Sequence, residues 1–245
     1  MSNKSTLKKI GYVTFSNVIK LVSSILIGFI IPNILGVTNY GYYKVFTLYL
    51  TYIGLFHFGF IDGIYLKFGG VEYKDLNRQK FRSYFRFLLL FELVISLVGI
   101  VLVQVLINGD RAFIFTLLLI NLIAINLTTY FQFISQITSR FKEYSSRLII
   151  LSFTNIIIVA IMYYFGLSSY RFYSGLIVFV NFLLLFWYMY TYRHIVFGDS
   201  ESFKDSKNDV INYFKIGIPL LVANLASTFV MTVDKQIVEL LFPVE

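Results

Sequence analysis

Apolar residues dominate seven long runs of this chain, at about 10–35, 40–66, 84–107, 112–136, 147–166, 171–192 and 213–242. A bilayer core about 30 Å thick needs about 20 helical residues to cross it, and every run is long enough. None shows the strict alternation of a membrane β-strand. Backbone groups in hydrocarbon must satisfy one another, which makes these runs helices. The pattern predicts an all-α, polytopic membrane protein.

The gaps between runs 1 and 2, 3 and 4, and 5 and 6 are short: Gly36–Asn39, Asn108–Arg111 and Leu167–Tyr170. Gly and Asn suit tight turns, and short connections make successive helices neighbours, so an up-down bundle is expected. The sixth gap is longer, polar and mixed in charge, running from Arg193 to Asn212. Beyond it, Lys215-Ile216-Gly217 and Asn224 repeat the Lys9-Ile10-Gly11 and Asn17 of the first run. Six helices followed by a restart is what tandem repeats produce, a transporter habit. The expected organisation is a six-helix lobe over 1–192, a cytoplasmic linker over 193–212, with a short surface helix as an option, and a seventh span over 213–245 that begins a second lobe.

Charge adds an orientation. Lys4, Lys8 and Lys9 precede the first run. Lys67, Lys74, Arg78, Lys80 and Arg82 fill the second gap, Arg140, Lys142 and Arg147 the fourth, and Arg193, Lys204 and Lys207 the sixth. The odd gaps hold only Arg111 and Arg171. Cytoplasmic loops carry the Lys/Arg excess, which places the N-terminus and the even gaps inside. The net charge of +8 follows from topology and calls for no nucleic acid, although the basic stretch Arg78–Arg86 could also meet anionic lipid head groups. The Tyr residues at 40–43 and 163–173, and Trp187, Tyr188, Tyr190 and Tyr192, read as interfacial anchors. The absence of cysteine excludes disulfides and thiolate metal sites, and two histidines make a metal cluster a poor expectation. No nucleotide loop or nucleophile triad points to an enzyme or a cofactor.

Polar residues inside the spans carry the candidate chemistry. Lys20 lies ten residues into the first helix, about 15 Å deep, where a charge costs about 2.5–3.5 kcal/mol and is normally functional or paired. Asn17, Ser24 and Gly28 share its stripe. In the second helix Lys44, Thr47, Thr51, Gly54 and Asp62 form another, with Lys44 near enough to the interface to snorkel. Asp62 could pair with Lys67 or hold a cation. Glu92, at a depth comparable to Lys20, could pair with it and make it structural, or serve in ion coupling. Asn121, Thr128, Gln132 and Ser135 mark one face of the fourth helix, with Asn126 off that face. These amides either bridge helices or join the other stripes around one wet cavity.

Several short motifs resemble a family. Ile34-Leu35-Gly36-Val37-Thr38-Asn39-Tyr40-Gly41 is similar to the turn between the first two helices of polysaccharide (O-antigen) flippases of the multidrug/oligosaccharidyl-lipid/polysaccharide exporter superfamily. Gly59-Phe60-Ile61-Asp62-Gly63, Gly217-Ile218-Pro219 and Asp234-Lys235 resemble the end of its second helix and its seventh helix. Family members have two multi-helix lobes around a cationic cavity; this chain stops after the seventh helix and reads as a truncated product or a fragment. The resemblance implies export of oligosaccharide repeat units on undecaprenyl pyrophosphate across a bacterial cytoplasmic membrane, for O-antigen, lipopolysaccharide or capsule. It also implies coupling to H⁺ or Na⁺ and a polymerase and glycosyltransferases as pathway partners. Lys20, Asn17, Lys44, Asn121 and Gln132 are then the expected substrate contacts, and Glu92 and Asp62 the ion-coupling pair. The alternatives are a drug/cation antiporter of the same superfamily and a non-transporting membrane scaffold or receptor.

Overall fold

A computed structural model describes residues 3–241; residues 1, 2 and 242–245 and the side chains of 3–6, Lys4 included, lie outside the described residues. The helices are α1 (Asn3–Ile53), α2 (Phe60–Phe68), α3 (Arg78–Leu106), α4 (Gly109–Ile137), α5 (Phe141–Phe165), α6 (Tyr170–Thr191), α7 (Arg193–Val196) and α8 (Phe203–Leu241), with a 3-10 turn at Tyr73–Asp75. Among the described residues there is no strand, and six of the helices are long and apolar enough to cross a membrane. The molecule is an all-α helical membrane bundle.

The 51 residues of α1 would extend about 75 Å if straight, more than twice the hydrocarbon thickness. Instead Gly36 leaves the helical region, at φ 67° and ψ 178°, and divides α1 into two arms. The first arm follows α5, where the Ser23 hydroxyl donates to the Ser152 carbonyl at 3.0 Å. The second follows α6 and α4: Tyr42 packs on Tyr170 with ring centroids 4.9 Å apart, and Tyr49 on Phe115 at the same spacing. The turn expected over four residues is made by one.

Side-chain contacts fix the directions of the remaining helices. Tyr130 donates to the Phe81 carbonyl at 2.7 Å, Ser96 to Leu119 at 2.9 Å and Gln104 to Thr116 at 2.9 Å, which makes α3 and α4 antiparallel. Asn181 reaches Asn121 at 3.0 Å and Tyr192 meets Ser135 at 2.7 Å, so α4 and α6 run parallel. Along α8, Ser206 meets Ser83 at 2.7 Å and Glu239 approaches Arg111 at 3.5 Å. The helices therefore alternate in direction, and the even gaps gather at one end, here called the basic end. One aromatic-rich core, including Phe60, Tyr84, Tyr130, Phe131 and Tyr213, fills that end; a second, including Ile31, Phe46, Leu122 and Met162, fills the other.

Several expectations change. The second span is not one helix: it stops at Ile53 and resumes at Phe60. The sixth gap is shorter than expected, because α8 begins at Phe203 and continues into the seventh span. Nor is the linker loose. Arg82 donates to the carbonyls of His194 and Asp199 at 3.1 and 2.7 Å, and Arg86 to Ser200 Oγ and the Gly198 carbonyl at 2.6 and 2.7 Å. These guanidiniums, which the sequence left free to meet lipid head groups, hold the linker to α3. Tyr188 and Tyr192 are fully buried and serve as core residues rather than interfacial anchors.

The clasp at the start of α8 is sensitive to pH. Asp209 accepts from Lys80 at 3.1 Å and from Tyr84 at 2.8 Å. Burial pushes its acidity toward higher pKa, but the hydrogen bonds from Tyr84 and Lys80 prevail and hold the carboxyl below the ordinary 3.8. A depressed carboxylate stabilises the fold above its unfolded pKa, and that contribution is lost as pH falls through the folded value. Melting in detergent below pH ~4 is therefore expected to fall less steeply for Asp209→Asn than for the parent chain. Parallel slopes would refute the assignment.

The most intimate contact in the molecule lies between α8 and α2. A Cβ placed on Gly217 would stand 1.8 Å from the Gly59 carbonyl oxygen, and one on Gly63 would stand 2.0 Å from the Tyr213 carbonyl oxygen. Backbones meet there with no room for a side chain, as at small-residue crossings of membrane helices. Further along, the Tyr52 hydroxyl meets Thr232 at 2.5 Å and receives a hydrogen bond from Gln236, while Tyr49 donates to Glu239 at 2.9 Å. The rest of α8 is bare: Val230, Met231 and Leu240 are among its exposed apolar side chains.

Candidate functional site at the interrupted second span

The interruption follows from its sequence, Gly54-Leu55-Phe56-His57-Phe58-Gly59. Gly59 adopts φ 84° and Phe58 φ 50°, in the left-handed region that glycine tolerates and other residues resist. Four i→i−3 hydrogen bonds (Leu55 to Tyr52, Phe56 to Ile53, Phe58 to Leu55, Phe60 to His57) replace the α-helical ladder. The change of register separates Asp62 from the stripe of Lys44, Thr47 and Thr51: Asp62 is buried, whereas Lys44 and Thr51 are exposed.

Polar side chains surround this segment. His57 Nδ1 accepts from the Gly59 amide at 3.1 Å and lies 3.9 Å from Asp62 Oδ2. Asn126, from α4, donates through Nδ2 to the Ile53 carbonyl at 3.3 Å, at the last turn before the interruption. Its amide also lies beside the Glu92 carboxyl of α3. Glu92 is 0% exposed, and neither of its oxygens completes a hydrogen bond; Asn126 Oδ1 and Asp62 Oδ2 are also without a partner. Interrupted membrane helices expose backbone polar groups where a site is built, and buried polar groups without partners are rare enough to need a reason. His57, Asp62 and Glu92 do not converge, since among the described residues no group of three such side chains could hold a metal ion.

The predicted residues divide into three sets. Asn17 and Lys20 lie exposed on the first arm of α1. Lys44 is exposed at the end opposite the basic one, its ammonium 4.9 Å from the Tyr40 ring and 5.9 Å from the Tyr43 ring. Asn121 is fully buried against Asn181, and Gln132 is half-buried beside Tyr188. The two amides therefore act between α4 and α6 and do not share a cavity with Lys20. A cleft of about 650 Å³ lies among α1, α3, α4 and α8; Phe56, Leu119 and Glu239 line it, and none of the predicted substrate residues does. Neither of the two possible ion pairs forms: among the described residues no salt bridge includes Lys20, and Asp62 faces His57 rather than Lys67. In the sequence Asn126 is a lone amide off the polar face of the fourth helix, and His57, one of two histidines, lies in an apolar run. Their signal was the pair of glycines bracketing His57.

Fold and site together define a multi-pass helical membrane protein with an interrupted span and a buried acid beside it. Comparisons with family models, with characterised proteins and with solved structures return no match.

Proposed function

We propose that the chain forms one lobe of a flippase that moves lipid-linked oligosaccharide repeat units, on undecaprenyl pyrophosphate, from the cytoplasmic to the outer leaflet of a bacterial inner membrane. Lys20 carries the proposal. It is a cation deep in an apolar span, exposed, and without a carboxylate partner among the described residues, while the acid that might have neutralised it is enclosed between other helices. An unpaired charge at that depth is costly, and an anionic pyrophosphate would offset it. Asn17, on the same exposed arm, can stand in for water around the attached sugars. A carrier of cationic drugs would instead present acid on its exposed face; here Glu92 and Asp62 are both buried.

The test is flipping of a fluorescent lipid-linked oligosaccharide in proteoliposomes containing the complete transporter. Lys20→Ala is expected to slow it by roughly tenfold or more, the equivalent of about 1.4 kcal/mol, and Lys20→Arg to keep part of the rate. Parental flipping by Lys20→Ala would sink the proposal.

A further inference from the structure

We propose that Arg82 and Arg86 of α3, together with Ser200 of the linker, bind the phosphate of an anionic phospholipid, and that the bound lipid strengthens the clasp between linker and α3. This site is independent of what the chain transports.

The first argument is charge. Arg78, Arg82 and Arg86 follow one another at four-residue steps, and so down one side of the helix. Like charges at that spacing repel. Among the described residues none of the three has an ion-pair partner, and the linker acids Asp199 and Glu201 pair with none of them. Arg82 and Arg86 hold instead the carbonyls of His194, Gly198 and Asp199 and the Ser200 hydroxyl oxygen. Those acceptors are neutral. They satisfy hydrogen bonds and leave the positive charge uncompensated.

The second argument is donor capacity. A guanidinium carries five N–H groups. Arg82 spends one on Nε and one on Nη1, and Arg86 spends one on each Nη, which leaves three donors on each. Ser200 accepts from Arg86 and keeps its own O–H to give. Arginine forks engage phosphate oxygens in pairs, and a phosphate has oxygens enough to serve both forks and the hydroxyl. Arg86 is exposed and Arg82 half-buried, so these donors are within reach of a ligand.

Position selects a lipid over a dissolved anion. The apolar run of α3 begins near residue 84, between the two arginines, which sets them at head-group level. From Arg86 the same side of α3 continues through Leu90, Val94, Leu97 and Val101, each more than half exposed. An acyl chain lying on this ridge holds its phosphate at Arg86. Phe197, next to Gly198 in the linker, is exposed and offers a further apolar contact. The basic end is the one that the loop charges assign to the cytoplasm, and basic segments beside a membrane attract anionic lipid. A phosphate shared by Arg82, Arg86 and Ser200 ties α3 to the linker, and the linker leads directly into α8 at Phe203. Lipid composition thereby acts on the root of α8.

The chain in nanodiscs of phosphatidylcholine, with and without phosphatidylglycerol, provides the test. Spin-labelled phosphatidylglycerol is expected to be retained more tightly than spin-labelled phosphatidylcholine by roughly fivefold or more. The Glu201 amide donates to the Gln79 carbonyl at 3.4 Å and the chain has no cysteine, so a Gln79→Cys/Glu201→Cys pair reports the clasp. Its oxidation should be faster with phosphatidylglycerol present. Arg82→Gln/Arg86→Gln should abolish both effects, and Lys142→Gln, an exposed basic residue at the same end, should change neither. Loss of the two arginines also frees the linker, so Ser200→Asp decides between the causes: its carboxylate fills the site, removes the selectivity and keeps oxidation fast in either lipid. Selectivity that survives Arg82→Gln/Arg86→Gln or Ser200→Asp, or oxidation indifferent to lipid, overturns the proposal. So does acceleration by inorganic phosphate in pure phosphatidylcholine, which would mark a site for soluble anions. Tighter retention of undecaprenyl phosphate than of phosphatidylglycerol would give the site to a transport substrate and overturn it equally.

Discussion

Replacing Gly217 with alanine is expected to pull α8 away from α2. The new methyl carbon would stand 1.8 Å from a backbone oxygen, and contact below 3.0 Å forces something to move. The obstacle is backbone, so no side-chain rotation relieves it; the two helices have to part. Overpacking of this kind costs about 1–3 kcal/mol, occasionally more, and rigid backbone on both sides places Gly217→Ala at the upper end. A cross-link reports it directly. The hydroxyls of Ser83 and Ser206 are 2.7 Å apart, so a Ser83→Cys/Ser206→Cys pair in a chain without other cysteines should oxidise readily and do so far less in the Gly217→Ala background. Gly175→Ala is the control, since a Cβ there meets nothing within 4 Å. Unchanged cross-linking in Gly217→Ala would show that the crossing is looser than described.

The second large effect belongs to Arg147, which the charge pattern placed in a loop. It is 3% exposed at the start of α5, with its guanidinium 4.0 Å from the Tyr188 ring and 4.9 Å from the Trp187 ring. It donates to Thr191 at 2.6 Å and approaches Glu143 at 4.0 Å. A desolvated cation–π contact and a charged hydrogen bond together predict a loss of about 3 kcal/mol in Arg147→Ala. Arg147→Lys should not restore it, because an ammonium lacks the planar face that stacks on rings. Trp187 is the only tryptophan, so its fluorescence should change in both variants alongside the fall in melting temperature. Parental melting and emission in Arg147→Lys would mean that charge alone matters there.

Arg147 also illustrates what the sequence could and could not reveal. Hydropathy located the helices well: the runs at 112–136 and 171–192 correspond to Gly109–Ile137 and Tyr170–Thr191. Length and apolar content are sufficient for that. The same averaging is blind to backbone torsion, so Gly54–Gly59, apolar throughout except for His57, passed as helix. It is equally blind to which helix a polar face meets. The first arm of α1 leans on α5 while Glu92 is enclosed beside α4, which is why Lys20 and Glu92 do not pair. Asn121 and Asn126 are only five residues apart, yet one bridges to α6 and the other to the interruption. Nothing in a single sequence separates those roles.

The glycine motifs fared differently. Gly59 and Gly63 lie in one segment and Gly217 in another, well over a hundred residues away, and each was singled out separately. The fold brings them into a single crossing, which supplies the steric reason for glycine at all three.

That crossing gives α8 the geometry of a lever. Its 39 residues form a rod of about 58 Å, and Gly217 lies closer to the Phe203 end than to the Leu241 end. The short arm carries Asp209, clasped to α3; the long arm carries Thr232, Gln236 and Glu239, held by Tyr52, Tyr49 and Arg111. Pro219, two residues past the fulcrum, has no amide hydrogen for the helical ladder and weakens the rod there. A tilt of α8 about the crossing would carry the Leu241 end further than the Phe203 end, and would have to break the hydrogen bonds that hold Tyr52 and Tyr49 to the long arm and Asp209 to α3.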